Sequence, residues 1–164
     1  MENKEIIKYE GGLIKSVGNA INISTKLLNI DFRKINAIYF DDHKIYISGM
    51  STHLKKYFPN LILKTFTHSE PALQCIDKFF KDGTNVDLII TGFNQIGDIN
   101  GYEFANIIRK KEKIYKKKTV ILLVTMYNEE YPVIAKGLKE KTFDKYFTKA
   151  TGEEIINEIK NLVK

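Results

Sequence analysis

Asp41-Asp42-His43, Thr125 and Lys149 are the residues of this 164-residue chain whose types and placement point to chemistry. Each site ends or follows a run that reads as a buried strand: INAIYF before the acids, TVILLVT ending on the threonine, FDKYFT before the lysine. Adjacent carboxylates can hold Mg²⁺, which takes oxygen ligands and keeps several waters. An ammonium and a hydroxyl can meet the oxygens of an anion held beside it. If the runs are parallel strands of one sheet, all these groups meet at its carboxyl edge, where open α/β sheets bind their ligands. A further run, VDLIITG, ends at Gly92 and brings no side chain to that edge.

The elements that would position these groups can be read from residue 34 onward. Strands are expected at 34–40, 61–67, 86–91, 119–125 and 143–148, several of them continuously apolar as in strands covered on both faces. Helices are expected near 44–57, 70–82, 101–113, 128–141 and 152–163. Ser69 precedes Glu70-Pro71, and Pro132 also falls early in its segment, where a first helical turn tolerates proline. Thr151-Gly-Glu-Glu154 reads as a capping box, and the helix after it lines up Ile155, Ile156, Ile159, Leu162 and Val163. The alternation of strand and helix gives a doubly wound α/β fold with a five-stranded parallel sheet and right-handed crossovers. Residues 1–33 differ in character: Leu13, Val17, Ala20, Ile21, Leu27 and Leu28 share one helical face, so an extra N-terminal helix is expected ahead of a domain spanning 34–164. Such a helix could dock on the domain or form a dimer or partner contact.

Composition narrows the function classes. The hydrophobic fraction of 43% supports a packed core. One cysteine, Cys75, allows no intrachain disulfide and favours a reducing compartment. No apolar run is long enough to span a membrane, and MENKEIIKYEGG has no signal-peptide core, so a cytoplasmic protein is expected. The net charge is +6, and much of the excess sits in Arg109–Lys118. That run could form a nucleic-acid patch, but it is short and no recognition helix flanks it, so a solvated helix end and loop is the reading adopted. Cys75 reads as a buried small residue, and His53 and His68 have no metal-ligand spacing. No phosphate-binding loop, nucleophile elbow or Cys-x-x-Cys is present, and no enzymatic activity is expected.

Asp-Asp, Thr and Lys, in this order at these strand ends, resemble the phosphorylation pocket of response-regulator receiver domains over about residues 34–164. FDDHKIYISGM is similar to the Asp-Asp-His start of NarL/LuxR-type receivers, with Gly49 in the expected place of the first helix. The resemblance implies the CheY-like, flavodoxin-like strand order 2-1-3-4-5. It assigns Asp41 and Asp42 to Mg²⁺, together with Asn94 through its backbone carbonyl. It makes Thr125 the switch hydroxyl, Lys149 the phosphoryl-binding lysine, and Tyr146 the aromatic switch position. His43 belongs to the start motif. Ala150 stands where many receivers have proline.

The departure lies in the third strand. Spacing from Asp87 puts the phosphoacceptor at position 92, which is glycine, and the loop before Gly101 reads one residue longer than usual. No acyl phosphate can form there, and Mg²⁺ should bind weakly or not at all with two acids in place of three. Lys149 could pair with Asp41 or Asp42 instead. Asp98 is the substitute acceptor to consider; Thr91 is a poor one. The expectation is a degenerate receiver of two-component signalling that works through protein contacts, with a histidine kinase, another signalling protein or a second copy as partner. Those contacts are expected on the last helix–strand–helix face. NarL-type regulators continue into a DNA-binding domain, whereas this sequence stops at Lys164, so output through contacts or through residues 1–33 is expected.

Overall fold

Apolar strands that alternate their side chains between two helix layers organise the molecule. The computed structural model describes residues 31–94, 99–148 and 151–163. The strands are β1 (Ile35–Phe40), β2 (Leu61–Phe66), β3 (Leu88–Thr91), β4 (Val120–Thr125) and β5 (Lys145–Thr148). The helices are α1 (Lys44–Tyr57), α2 (Ser69–Lys81), α3 (Gly101–Tyr115), α4 (Pro132–Lys139) and α5 (Gly152–Leu162). All strand pairs are parallel, in the order β2-β1-β3-β4-β5, the expected topology. The proposed helix within residues 1–33 falls almost wholly outside the described residues. Of that stretch, Asp31 N–H donates to the Tyr57 carbonyl, and Arg33 pairs with Asp31 and donates to the Val163 and Lys160 carbonyls.

The period of two explains why the central strands read as unbroken apolar runs. Ile38, Phe40, Ile89, Ile121 and Leu123 pack with Ile76, Phe104, Ile108 and Ile134 on the side of α2, α3 and α4. Ile35, Ala37, Tyr39, Leu88, Ile90 and Leu122 pack with Leu54, Phe58, Ile155, Ile156 and Ile159 on the side of α1 and α5. Edge strand β2 is half exposed, and its sequence LILKTF carries a lysine accordingly.

Helix starts follow local chemistry. Thr151 and Glu154 form the expected capping box, and Asn100 with Glu103 forms a second one at α3. Ser69 lies inside α2, with His68 at the cap and no side-chain cap bond. Helix α4 begins at Pro132 rather than near 128. Proline disfavours helical geometry in the residue before it, and Tyr131 is extended (φ −62°, ψ 120°). Strand β5 begins two residues late because the Asp144 carboxylate accepts the Ile121 N–H, while Phe143 turns into the core. Cys75 is only half-buried, in a shallow groove with Phe66, Pro71 and Lys78.

The basic run is partly structural. Arg109 bonds both Glu112 oxygens at 3.0 Å, the Thr119 carbonyl at 2.9 Å, the Thr142 carbonyl at 3.1 Å and Asp144 at 2.6 Å. Buried Glu112 also accepts the Thr119 N–H at 2.6 Å. Lys111 pairs with Asp77, and Lys117 reaches Gly83 and Asn85. Arg109 thereby joins α3 to the entries of β4 and β5. Replacing Arg109 by alanine would strand Glu112 and several carbonyls, so a loss of about 2–3 kcal/mol is expected in urea denaturation.

Candidate functional site

The chain reverses its winding direction between β1 and β3, and the strand register places the site there. Phe40 is level with Thr91, so Asp41 and Gly92 emerge side by side; Thr91 is level with Leu123, and Thr125 follows two residues beyond. The ladders run past the strands: Asp41 N–H donates to Phe66 and Gly92 N–H to Phe40. A cavity of about 550 Å³ opens at this edge, lined by Asp41, His43, Gly92, Asn94 and Thr125 and walled by tyrosines, methionines and Phe93. Four of the expected site residues (Asp41, Gly92, Asn94 and Thr125) therefore share one cavity. Asp42 lies next to it, within reach of the His43 ring. Lys149 and Asp98 lie outside the described residues.

Asp41 is the buried acid, 7% exposed. Burial pushes its carboxyl above the ordinary value of 3.8, the charge of Asp42 adds to the rise, and the hydrogen bond from the His43 N–H opposes it. Beneath it, buried Tyr39 is held firmly protonated, first by desolvation and then by the charge of Asp41. Thr91 is turned away: its buried hydroxyl donates to the Gly92 carbonyl.

His43 does more than complete a motif. Its Nδ1 lies 2.7 Å from Asp42 Oδ1 and 3.5 Å from Asp41 Oδ1. Ligand atoms of all three residues lie within 4.8 Å of one another. No side chain comes from position 92, and the Asn94 amide donates to the Tyr127 hydroxyl at 2.6 Å. The side chains at this edge are thus two carboxylates with an imidazole nitrogen beside them.

Tyr127 is a residue of this edge that the sequence did not reveal. Besides holding Asn94, its N–H donates to Thr125 Oγ1 at 3.2 Å, and its carbonyl accepts from the Tyr146 hydroxyl. Its ring packs against Phe93 and Tyr131 at 5.4 and 5.0 Å. Thr125 and Tyr146, far apart in sequence, are tied to one residue. The only hint was the aromatic spacing in TMYNEEY.

Gly101 docks the start of α3 onto this edge. Its N–H donates to the Phe93 carbonyl at 2.8 Å, and a Cβ there would overlap the Gly92 carbonyl oxygen, a backbone atom that cannot rotate aside.

No family model matches the chain, and no curated protein matches it. Solved structures do. A two-component response regulator from Cytophaga hutchinsonii is 20% identical, with a TM-score of 0.68 over 80% of this chain and 98% of the other. The receiver domain of the response regulator NarL from Mycobacterium tuberculosis is 18% identical, with a TM-score of 0.61 over 79% and 95%. A co-crystal structure of the Saccharomyces cerevisiae phosphotransfer protein Ypd1 and the receiver domain of Ssk1 matches at 22% identity and a TM-score of 0.66 over 81% and 91%. The chain shares the receiver fold with these proteins, and the NarL receiver is no nearer than the others. No described helix is long and apolar enough to cross a membrane.

Two outcomes are expected from this geometry. Gly101→Ala must push α3 off the end of β3, and a loss of about 1–3 kcal/mol should appear in thermal or urea unfolding. Asp41→Asn should stabilise the metal-free protein at neutral pH. The folded pKa of Asp41 lies above its unfolded value, so between the two the folded state holds more protons, and stability falls as pH rises through that window. Asparagine avoids this loss. The gain in melting temperature should be full above the window and vanish as the pH falls toward 3.8 in EDTA-treated samples.

Proposed function

We propose that the chain is a receiver-type module of two-component signalling that acts through protein contacts without phosphorylation at position 92. The observation that carries this reading is Gly92 itself. It stands at the end of β3, beside Asp41 and in the same cavity as Thr125, and brings no nucleophile. Receiver chemistry needs a carboxylate there to accept the phosphoryl group, with electrostatic groups around it to neutralise the charge. The remaining groups are held by each other: Thr125 and Tyr146 both bond the Tyr127 main chain. The output is then binding rather than catalysis, and the partner is a histidine kinase or another signalling protein. The surface formed by α4, β5 and α5, onto which Tyr146 opens, is the contact face in this reading.

Mass spectrometry of the intact protein after incubation with acetyl phosphate and Mg²⁺ tests the proposal. No added phosphoryl group is expected on the wild type. Gly92→Asp run in parallel should gain one, because it puts a carboxylate beside Asp41 where receiver chemistry needs its acceptor. A phosphoryl group on the wild type would overturn the reading and turn attention to Asp98, with Asp98→Ala as the check.

A further inference from the structure

The run from Arg109 to Lys118 reads by itself as a solvated helix end, but the fold sets it between two others. Helices α2, α3 and α4 pack on one face of the sheet, and the chain passes from them into β3, β4 and β5, which are neighbours in the strand order. Their carboxyl ends therefore lie side by side along the amino edge of the sheet, roughly 10 Å apart from helix to helix. Lys81 ends α2, Lys113, Lys116 and Lys118 mark the end of α3, and Lys139 and Lys141 the end of α4, all of them exposed. This row lies at the opposite edge from Asp41 and Gly92.

The row is held in place from within. Lys117 donates to the Gly83 carbonyl at 2.6 Å and to Asn85 Oδ1 at 3.0 Å, which ties the turn after α3 to the turn after α2. Arg109 donates to the Thr119 and Thr142 carbonyls, which ties α3 to the turns ahead of β4 and β5. The same arginine takes up Glu112 and Asp144, and Lys111 takes up Asp77, so these acids do not neutralise the row. Asp82 and Glu140 are the exposed acids beside it, and Glu140 accepts the Tyr102 hydroxyl.

Helix stability alone does not account for these lysines. A helix end carries about half a negative charge, which a single cation in the last turn offsets. Lys116 and Lys141 lie past that turn, each in the left-handed backbone region (φ 52° and 54°), where glycine or asparagine is favoured. After α2 that place is filled by Gly83 (φ 76°). The ends of α3 and α4 thus carry ammonium groups at positions that disfavour lysine.

A fixed row of cations fits a polyanion whose charges are also fixed in a row. The chain's two arginines, Arg33 and Arg109, are both engaged internally, so the row offers point charges and no forked donor to read a base edge. Among the described residues, Ile114 is the large apolar side chain exposed along the row, and the Tyr115 ring packs against Phe80. The row therefore lacks the apolar face that lipid binding uses and the rings on which unpaired bases stack. The phosphates of a duplex need neither.

We infer that the exposed lysines at the ends of α2, α3 and α4 form a sequence-independent docking surface for the phosphate backbone of double-stranded nucleic acid. This is independent of the signalling role proposed above.

Fluorescence anisotropy of the full chain with a labelled DNA duplex of about 20 base pairs, titrated with KCl, tests it. The logarithm of the binding constant should fall against the logarithm of salt concentration with a slope of about −3 to −5, and a duplex of scrambled sequence should bind within about twofold. Lys113→Gln, Lys116→Asn and Lys118→Gln together should weaken binding roughly tenfold or more at about 50 mM KCl and make the slope shallower by about 2–3. These sites are exposed and asparagine accepts the left-handed backbone, so the variant keeps the fold, which circular dichroism verifies. Lys44→Gln, Lys55→Gln and Lys56→Gln together remove the same charge from α1, on the other face of the sheet, and should bind within about threefold of the wild type. No binding to the duplex, an equal loss in both triple variants, or binding to phosphatidylserine vesicles without binding to the duplex would each overturn the inference.

Discussion

Burial of β1, β3 and β4 on both faces is the constraint on which the rest depends. A strand covered twice has no polar side to slide toward, and each residue shift would exchange its entire side-chain set between two differently shaped helix layers. The register Phe40–Thr91–Leu123 is therefore fixed by packing. The first residues past the strand ends inherit that precision: Asp41 and Gly92 are neighbours because Phe40 and Thr91 are. The hydrophobic core thereby sets where the backbone of the site lies.

The same constraint explains what could be read in advance. Continuous apolar runs bounded by polar residues located the strands within one or two residues, and parallel pairing then placed Asp41, Gly92 and Thr125 at one edge. Thr151 as a cap was legible because a capping box is local. The Asn100–Glu103 box is equally local.

What escaped the sequence is long-range or rotameric. A basic run looks the same on paper whether it is solvated or engaged, and Arg109 is engaged with groups up to 35 residues away. The late start of α4 reflects Pro132 acting on Tyr131, whose ring also packs on Phe93 of another loop, a contact that pattern alone does not specify. The turn of the His43 ring onto both carboxylates is a side-chain choice set by tertiary surroundings. Lys149 and Asp98, though named by the pattern, fall where the structure gives no description.

Tyr127 has a thermodynamic consequence. A ligand can shift an equilibrium between two arrangements only by the difference in its affinity for them. In a switch, that difference arises because a hydroxyl and an aromatic ring trade partners when the ligand arrives. Here Thr125 and Tyr146 already share a partner inside the protein, and Asn94 and Phe93 hold that partner from the β3 side. Moving either one breaks bonds that an ion at Asp41 would not replace. A ligand at the acidic edge could move this set only if its affinity for the two arrangements differed by more than the bonds around Tyr127 cost to break.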